Sequence, residues 1–476
     1  MHTIIKKMTT ARRLIHHIQE TFSKEKTDNL LAGIREGKSM TTGDKANLIA
    51  QLAIPSILAQ VTHILMFFID AAMVGHLGAG PSAAIGLVES TTWLLGSLTG
   101  AISTGFSVQI AHAVGANDME RARTIFRHAL ICAITASLMI LILGVSCAGH
   151  LPYWLGGTDE IAHDASLYFM IWVMAMPIFQ IANLCGASLK SSGDMRTPST
   201  GSIMMCILDV VFNYLFIFQF DMGVCGAAIG TALAIFFNAS FQAYNAAFRN
   251  SILAFRHMQE RFRWNSKIIT NAIKISLPMA LQSFLLSGAQ IVSTMIVAPL
   301  GVIAIASNTF SITAESLCYM PGYGIGDAAT TLVGQSTGAR RKDLCWSFAI
   351  MSVSGAMMVM ALMGVIMYVF APEMIALLSP IPEIQALGTE VLRIEAWAEP
   401  MFAASIVCYS CMVGAGDTIR PAAINLASMW CVRLSLAYFL AKDYGLCGVW
   451  TAMAIELSVR GTLFLIRLCK KNWIKN

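Results

Sequence analysis

The chain has 476 residues, 56% hydrophobic and only 12% charged, with 12 cysteines and a formal net charge of +5. Soluble domains carry about 25% charged residues, so this balance and a mean hydropathy of +0.65 exclude an ordinary soluble fold. The positive excess sits in loops and tails, where it reports membrane topology, so nucleic acid is not expected as a partner.

Residues 1–46 carry Lys6, Lys7, Arg12, Arg13, His16 and His17 among few apolar side chains. They read as a basic cytoplasmic extension, partly helical and resting on the membrane surface. The segment lacks the apolar stretch of a signal peptide, so no cleavage is expected. Apolar runs follow, each long enough for a helix that needs about 20 residues to cross the bilayer. The first six are 47–74, 82–113, 123–149, 162–188, 197–219 and 225–249. A linker at 251–267 precedes six more, 268–298, 303–335, 343–370, 384–412, 421–440 and 445–469, and a tail at 471–476. The expected lobes are therefore residues 47–250 and 268–470.

Charge tests this map independently. Of the 32 Lys and Arg, 27 fall in the two tails or in the loops after even-numbered spans, and one, Lys442, falls in the alternate loops. Positive residues stay cytoplasmic, so both termini are expected inside and the span count even. Twelve spans satisfy this.

The two halves repeat one another at an offset of 223 residues. Pro55 maps onto Pro278, Leu77-Gly78 onto Leu300-Gly301, Gly115-Ala116 onto Gly338-Ala339, and Pro177 onto Pro400. Gly193-Asp194 maps onto Gly416-Asp417, and Pro198 onto Pro421. Six spans per unit is an even number, so both units enter the membrane from the same side. The fold class is an all-α membrane protein with twelve helices in two six-helix lobes, related by a parallel repeat about the membrane normal. In such frames the substrate path lies between lobes that rock against each other.

The repeated words identify a family. They read FFIDAAMVGHLGA at 67–79, QIAHAVGA at 109–116, LKSSGDMRTP at 189–198 and GVCGAAIGTALA at 223–234. The second half carries IVAPLGVIAIAS at 296–307, YGIGDAATTLVGQSTGA at 323–339, MVGAGDTIRP at 412–421 and GLCGVWTAM at 445–453. Their order resembles the multidrug and toxic compound extrusion (MATE) family, nearer its DinF-type than its NorM-type branch. The resemblance implies a cell (inner) membrane antiporter, driven by H+ or Na+, that exports amphipathic and cationic compounds. No other cofactor is expected, and the protein is expected to act as a monomer within the lipid bilayer.

Intramembrane carboxylates are costly and mark functional sites. In the first lobe these are Asp70 and Asp209, with Asn213 one helical turn after Asp209. Their repeat mates are Ser293, Val432 and Leu436, so the polar set belongs to one lobe. In DinF-type members the resemblance implies a coupling cluster that falls here on Asp70, Tyr168, Asp209, Asn213 and Thr231. The order departs from theirs, reading Asp-x-x-x-Asn in this chain. NorM-type members place a Glu where this chain has Leu286, which disfavours a Na+ site of that kind. Carboxylates sharing a dry pocket suit proton exchange, while the same oxygens with Thr231 would also coordinate Na+. H+ is favoured.

The second lobe holds Glu315, Asp327, Arg393, Glu395, Glu399, Arg433, Glu456 and Arg460. A self-contained ion-pair network is the first expectation, and Glu315 and Glu395 are the substrate-binding candidates. Asp194 and Asp417 read as turn and cap residues. The scattered cysteines, without CxxC, point to no metal. No HExxH, GxSxG or phosphate loop appears, so an enzyme is not expected. Two rivals remain. A lipid-linked precursor flippase would bring extra helices and a basic cavity, and a passive channel would conduct without counter-transport.

Overall fold

The computed structural model describes residues 24–257 and 262–474. The part of the basic extension before residue 24 lies outside them. Among the described residues the chain is helical, without strands. A first helix, α1 (Lys24–Arg35), leads to α2 (Thr42–Gly75), whose start is fixed by Thr41. The Thr41 hydroxyl accepts from the Asp44 backbone N–H at 3.2 Å, and the Asp44 carboxylate accepts from the Thr41 N–H at 3.1 Å. This reciprocal box satisfies two orphan donors of the first turn. The first lobe continues with α3 (Ala79–Gly115), α4 (Met119–Ala148), the short α5 (Leu151–Trp154), α6 (Asp159–Met174), α7 (Met176–Ser192), α8 (Arg196–Tyr214) and α9 (Gly223–Tyr244). The second comprises α10 (Ser266–Val297), α11 (Val302–Gly338), α12 (Lys342–Leu378), α13 (Pro382–Glu395), α14 (Glu399–Gly414), α15 (Ile419–Ala427) and α16 (Leu434–Cys469).

Twelve crossings emerge from these elements. Among the described residues, eight helices are long and apolar enough to span by themselves, and the pairs α6/α7 and α13/α14 add two more, bent by 46° and 58°. The bends fall just before Pro177 and Pro400, which are repeat mates. A proline there removes a backbone donor and clashes with the preceding turn. The last of the eight, Ile419–Cys469, is broken by Gly445 at φ 56° and ψ −135°, and so crosses twice. Helix α11, 37 residues long and rich in small residues, completes the set.

The lobes meet where α2 packs on α11 and α3 packs on α10 and α11. At the end of the bundle that carries the basic loops, the seam is backbone against backbone. A Cβ on Gly115 would collide with the Gln335 carbonyl, and one on Gly338 with the His112 carbonyl. These are two copies of one contact, because Gly115 maps onto Gly338 and His112 onto Gln335. Hydrogen bonds reinforce it. His112 Nε2 lies 2.8 Å from the Gly414 carbonyl, and Gln335 Nε2 donates to the Ser191 carbonyl at 2.9 Å. The neighbouring turns end on Gly193 (φ 99°) and Gly416 (φ 79°), a left-handed conformation that glycine adopts without Cβ strain.

Helix α1 turns its apolar face to the protein and not, as expected from the sequence, to lipid. Leu31 and Ile34 are fully buried in a core shared with Leu52 of α2, Leu332 of α11 and Phe348 of α12. Leu31 also fills the space above Gly193, and Arg341 donates to the Lys38 carbonyl at 2.6 Å. The short helix therefore straps the two lobes together at their basic end. Its apolar residues, one turn apart on one face, supply the reason.

Candidate functional site

Three helices of the first lobe converge on two carboxylates. Helix α2 brings Asp70, half-buried, and α8 brings Asp209 and Asn213, which are 1% and 2% exposed. Asn213 Nδ2 donates to Asp70 Oδ1 and to Asp209 Oδ2, each at 3.1 Å. The two carboxylate oxygens share one nitrogen, so they are at most about 6 Å apart. Helix α9 approaches closely because residue 230 is glycine, and a Cβ there would strike the Asn213 side chain and backbone. That approach sets Thr231 beside Asp209. Asp209 Oδ1 and Asn213 Oδ1 nevertheless make no hydrogen bond of good geometry. Tyr168, from α6, stands within electrostatic reach of both carboxylates. The structure thus gathers Asp70, Tyr168, Asp209, Asn213 and Thr231 in one place.

It adds a residue the sequence reading passes over. Glu89 of α3 faces Tyr168 as a third carboxylate and accepts from the Trp93 indole N–H at 3.3 Å. An acid inside an apolar run is the signal that singles out Asp70, and Glu89 carries it too. Two negative charges this close, one of them on the buried Asp209, repel one another. A proton or small cation between them relieves that repulsion.

The second lobe corrects one expectation. Its charges do not close into one self-contained network. Glu456 pairs with Arg460 at 3.2 Å, one turn on, and accepts from the Ser428 hydroxyl. Arg433 lies among Glu315, Glu395 and Glu456. Glu395 and Glu399 are fully buried, yet none of their four carboxylate oxygens has a hydrogen-bond partner. Arg393 stands apart, donating to the Tyr368 carbonyl at 3.2 Å. Asp327 leaves the lobe altogether: its Oδ2 accepts from Lys190 Nζ and Ser56 Oγ of the first lobe, both at 2.7 Å. The reason is position, since α11 forms the seam and its polar side chains find partners across it. Asp194 accepts from the Thr197 N–H at 3.1 Å, as a cap does, whereas Asp417 pairs with Arg467. Glu315 and Glu395 therefore lie in a buried cluster of four glutamates and two arginines, separate from the Asp70 site.

The profile of the MatE family matches the chain twice, over residues 55–215 and 278–439. The chain belongs to the MatE family. The two matched stretches begin 223 residues apart, at the repeat-mate prolines Pro55 and Pro278. A probable multidrug resistance protein NorM from Thermotoga maritima is 26% identical over 89% of this chain and 92% of its own length. Among solved structures, a point mutant of the MATE transporter VcmN of Vibrio cholerae superposes with a TM-score of 0.86. It is 18% identical and covered over 99% of its length, with 91% of this chain covered. A MOP superfamily transporter from Pyrococcus furiosus gives 0.86 at 21% identity, covering 91% of this chain and 97% of its own. These likenesses carry the fold: twelve membrane helices in two lobes. The chain is a multi-pass MATE membrane transporter.

Proposed function

We propose that this MATE protein is a cation-coupled antiporter that exports amphipathic, cationic compounds by alternating access, with H+ as the coupling ion. The observation that carries the reading is the bridge from Asn213 to both Asp70 and Asp209. Two carboxylates that share one amide donor form a single coupled site, and such a site suits the exchange of a proton. The cycle needs the proton and the cargo to favour opposite conformers, since each shifts the equilibrium only by its differential affinity. The conformer sealed at the basic end is read as the one open to the opposite side. Placement in the inner membrane, cytoplasmic termini and a monomeric state complete the proposal.

Its test is efflux of an organic cation from proteoliposomes under an imposed pH or Na+ gradient. A pH gradient is expected to drive transport of the wild-type protein, and Asp70→Asn to abolish it while the variant still folds and inserts. Full efflux by Asp70→Asn would move the coupling site elsewhere. Transport driven by Na+ alone would refute the choice of ion.

A further inference from the structure

Asp327 sits on a partly open edge of the seam between the lobes. Its side chain is 31% exposed and that of Lys190 is 30% exposed, whereas Gly324 just before it is packed against the Ile57 backbone of α2. From there to Gly338, α11 lies against the first lobe: Thr331 donates to the Lys190 carbonyl at 3.1 Å, and Gln335 to that of Ser191. The residue is remote from the paired aspartates. Its partner Ser56 precedes Asp70 by fourteen residues on α2, which is about 21 Å along a helix.

The carboxylate belongs to the second lobe, and both of its partners belong to the first. Any separation of the lobes at the basic end removes an ammonium and a hydroxyl from Asp327 at once. The face it occupies is suited to what would replace them. Tyr319, Tyr323 and Asp327 follow one another at intervals of four, so they line one side of α11. The two tyrosine rings stand edge to face at 5.9 Å, and Tyr323 is 44% exposed. A carboxylate next to accessible aromatic faces is the chemistry that holds organic cations.

We propose that Asp327, with Tyr323, is a binding site for the positive group of an organic cation, and that Lys190 is the chain's own competitor for it. With the basic end open, the cargo cation takes Asp327. As the lobes close there, Lys190 returns to the carboxylate and displaces the cargo toward the other side. No bond is made or broken, and one cation exchanges for another on one carboxylate. The inference rests on the alternating-access reading above and gives it a substrate contact and a release step.

The test uses the full chain in lipid nanodiscs, with tetraphenylphosphonium as the probe cation and spin labels on cysteines replacing Ala116 and Ala339. Both Lys190→Ala and Asp327→Asn remove the tie, so both should lengthen the distance between labels. Their affinities should diverge. Lys190→Ala is expected to bind the probe about tenfold more tightly and Asp327→Asn about tenfold more weakly. Tyr323→Ala should weaken binding severalfold without moving the labels, and the neutral triphenylphosphine oxide should not discriminate among the variants. A merely structural tie would shift both affinities the same way, and that result overturns the proposal. Should Asp327→Asn fail to fold, unchanged or weaker binding by Lys190→Ala overturns it alone. Lengthened distances with parallel affinities sink only the Asp327 site, whereas distances fixed in every variant and with every ligand sink alternating access and the site together.

Discussion

Replacing Gly338 by alanine adds one methyl group at the point where α3 and α11 cross. Three backbone atoms of His112 lie within 2.7 Å of the position its Cβ would take. No flexible side chain is available to move aside, so the two helices must part at the basic end. Overpacking of this kind costs about 1–3 kcal/mol. The cost falls only on the conformer that makes the contact, so the sealed form should lose population by a factor of roughly 5 to 150. Spin-label distances between positions 116 and 339 measure this directly, and melting temperature controls for general damage. Gly100→Ala is the matched control, because nothing lies within 4 Å of its added Cβ and it sits on α3. The double variant Gly115→Ala with Gly338→Ala should cost less than the sum of the singles, since either methyl already separates the helices. Unchanged distances in a folded Gly338→Ala variant would show that the glycine crossing does not set this equilibrium.

Two further outcomes follow from burial. Leu31→Ala empties a fully buried position between the Gly193 turn and α11; a cost of about 2–5 kcal/mol should appear as faster amide exchange over residues 24–35, and wild-type exchange there would refute the strap. Glu395→Gln neutralises a carboxylate with two partnerless buried oxygens. Because four glutamates face two arginines there, it relieves repulsion and should leave the melting temperature equal or higher while lowering uptake of a cationic probe, and a lower melting temperature would show that the carboxylate itself stabilises the lobe.

Sequence reveals the frame of this protein more readily than its contacts. Spans and repeat are legible because hydropathy and punctuation are local properties, and Pro177 and Pro400 mark bends the structure shows at those places. Asp70, Asp209 and Asn213 stand out because a polar residue inside an apolar run has few explanations. What sequence does not carry is partnership across the seam. Asp327 and Lys190 are 137 residues apart, and nothing local to either tells of the other, so Asp327 is assigned to the wrong neighbours. Glu89 carries the same signal as Asp70, but Ser90, Thr91 and Thr92 follow it directly and blur the contrast with its run. The docking of α1 escapes for a related reason, since two apolar residues on a short helix fit a lipid surface and a protein groove equally well.

The paired glycines have a consequence for the history of the fold. A contact in which residue i of one half meets residue j of the other, and j meets i in return, is the signature of a two-fold interface between identical subunits. Here the same surface survives inside a single polypeptide, with 112 against 338 and 115 against 335. In an unfused ancestor, any change at such a position would have struck the interface twice. Joining the copies released each position from its twin, which is how one lobe could keep a pair of aspartates while the other filled the corresponding places with serine and valine.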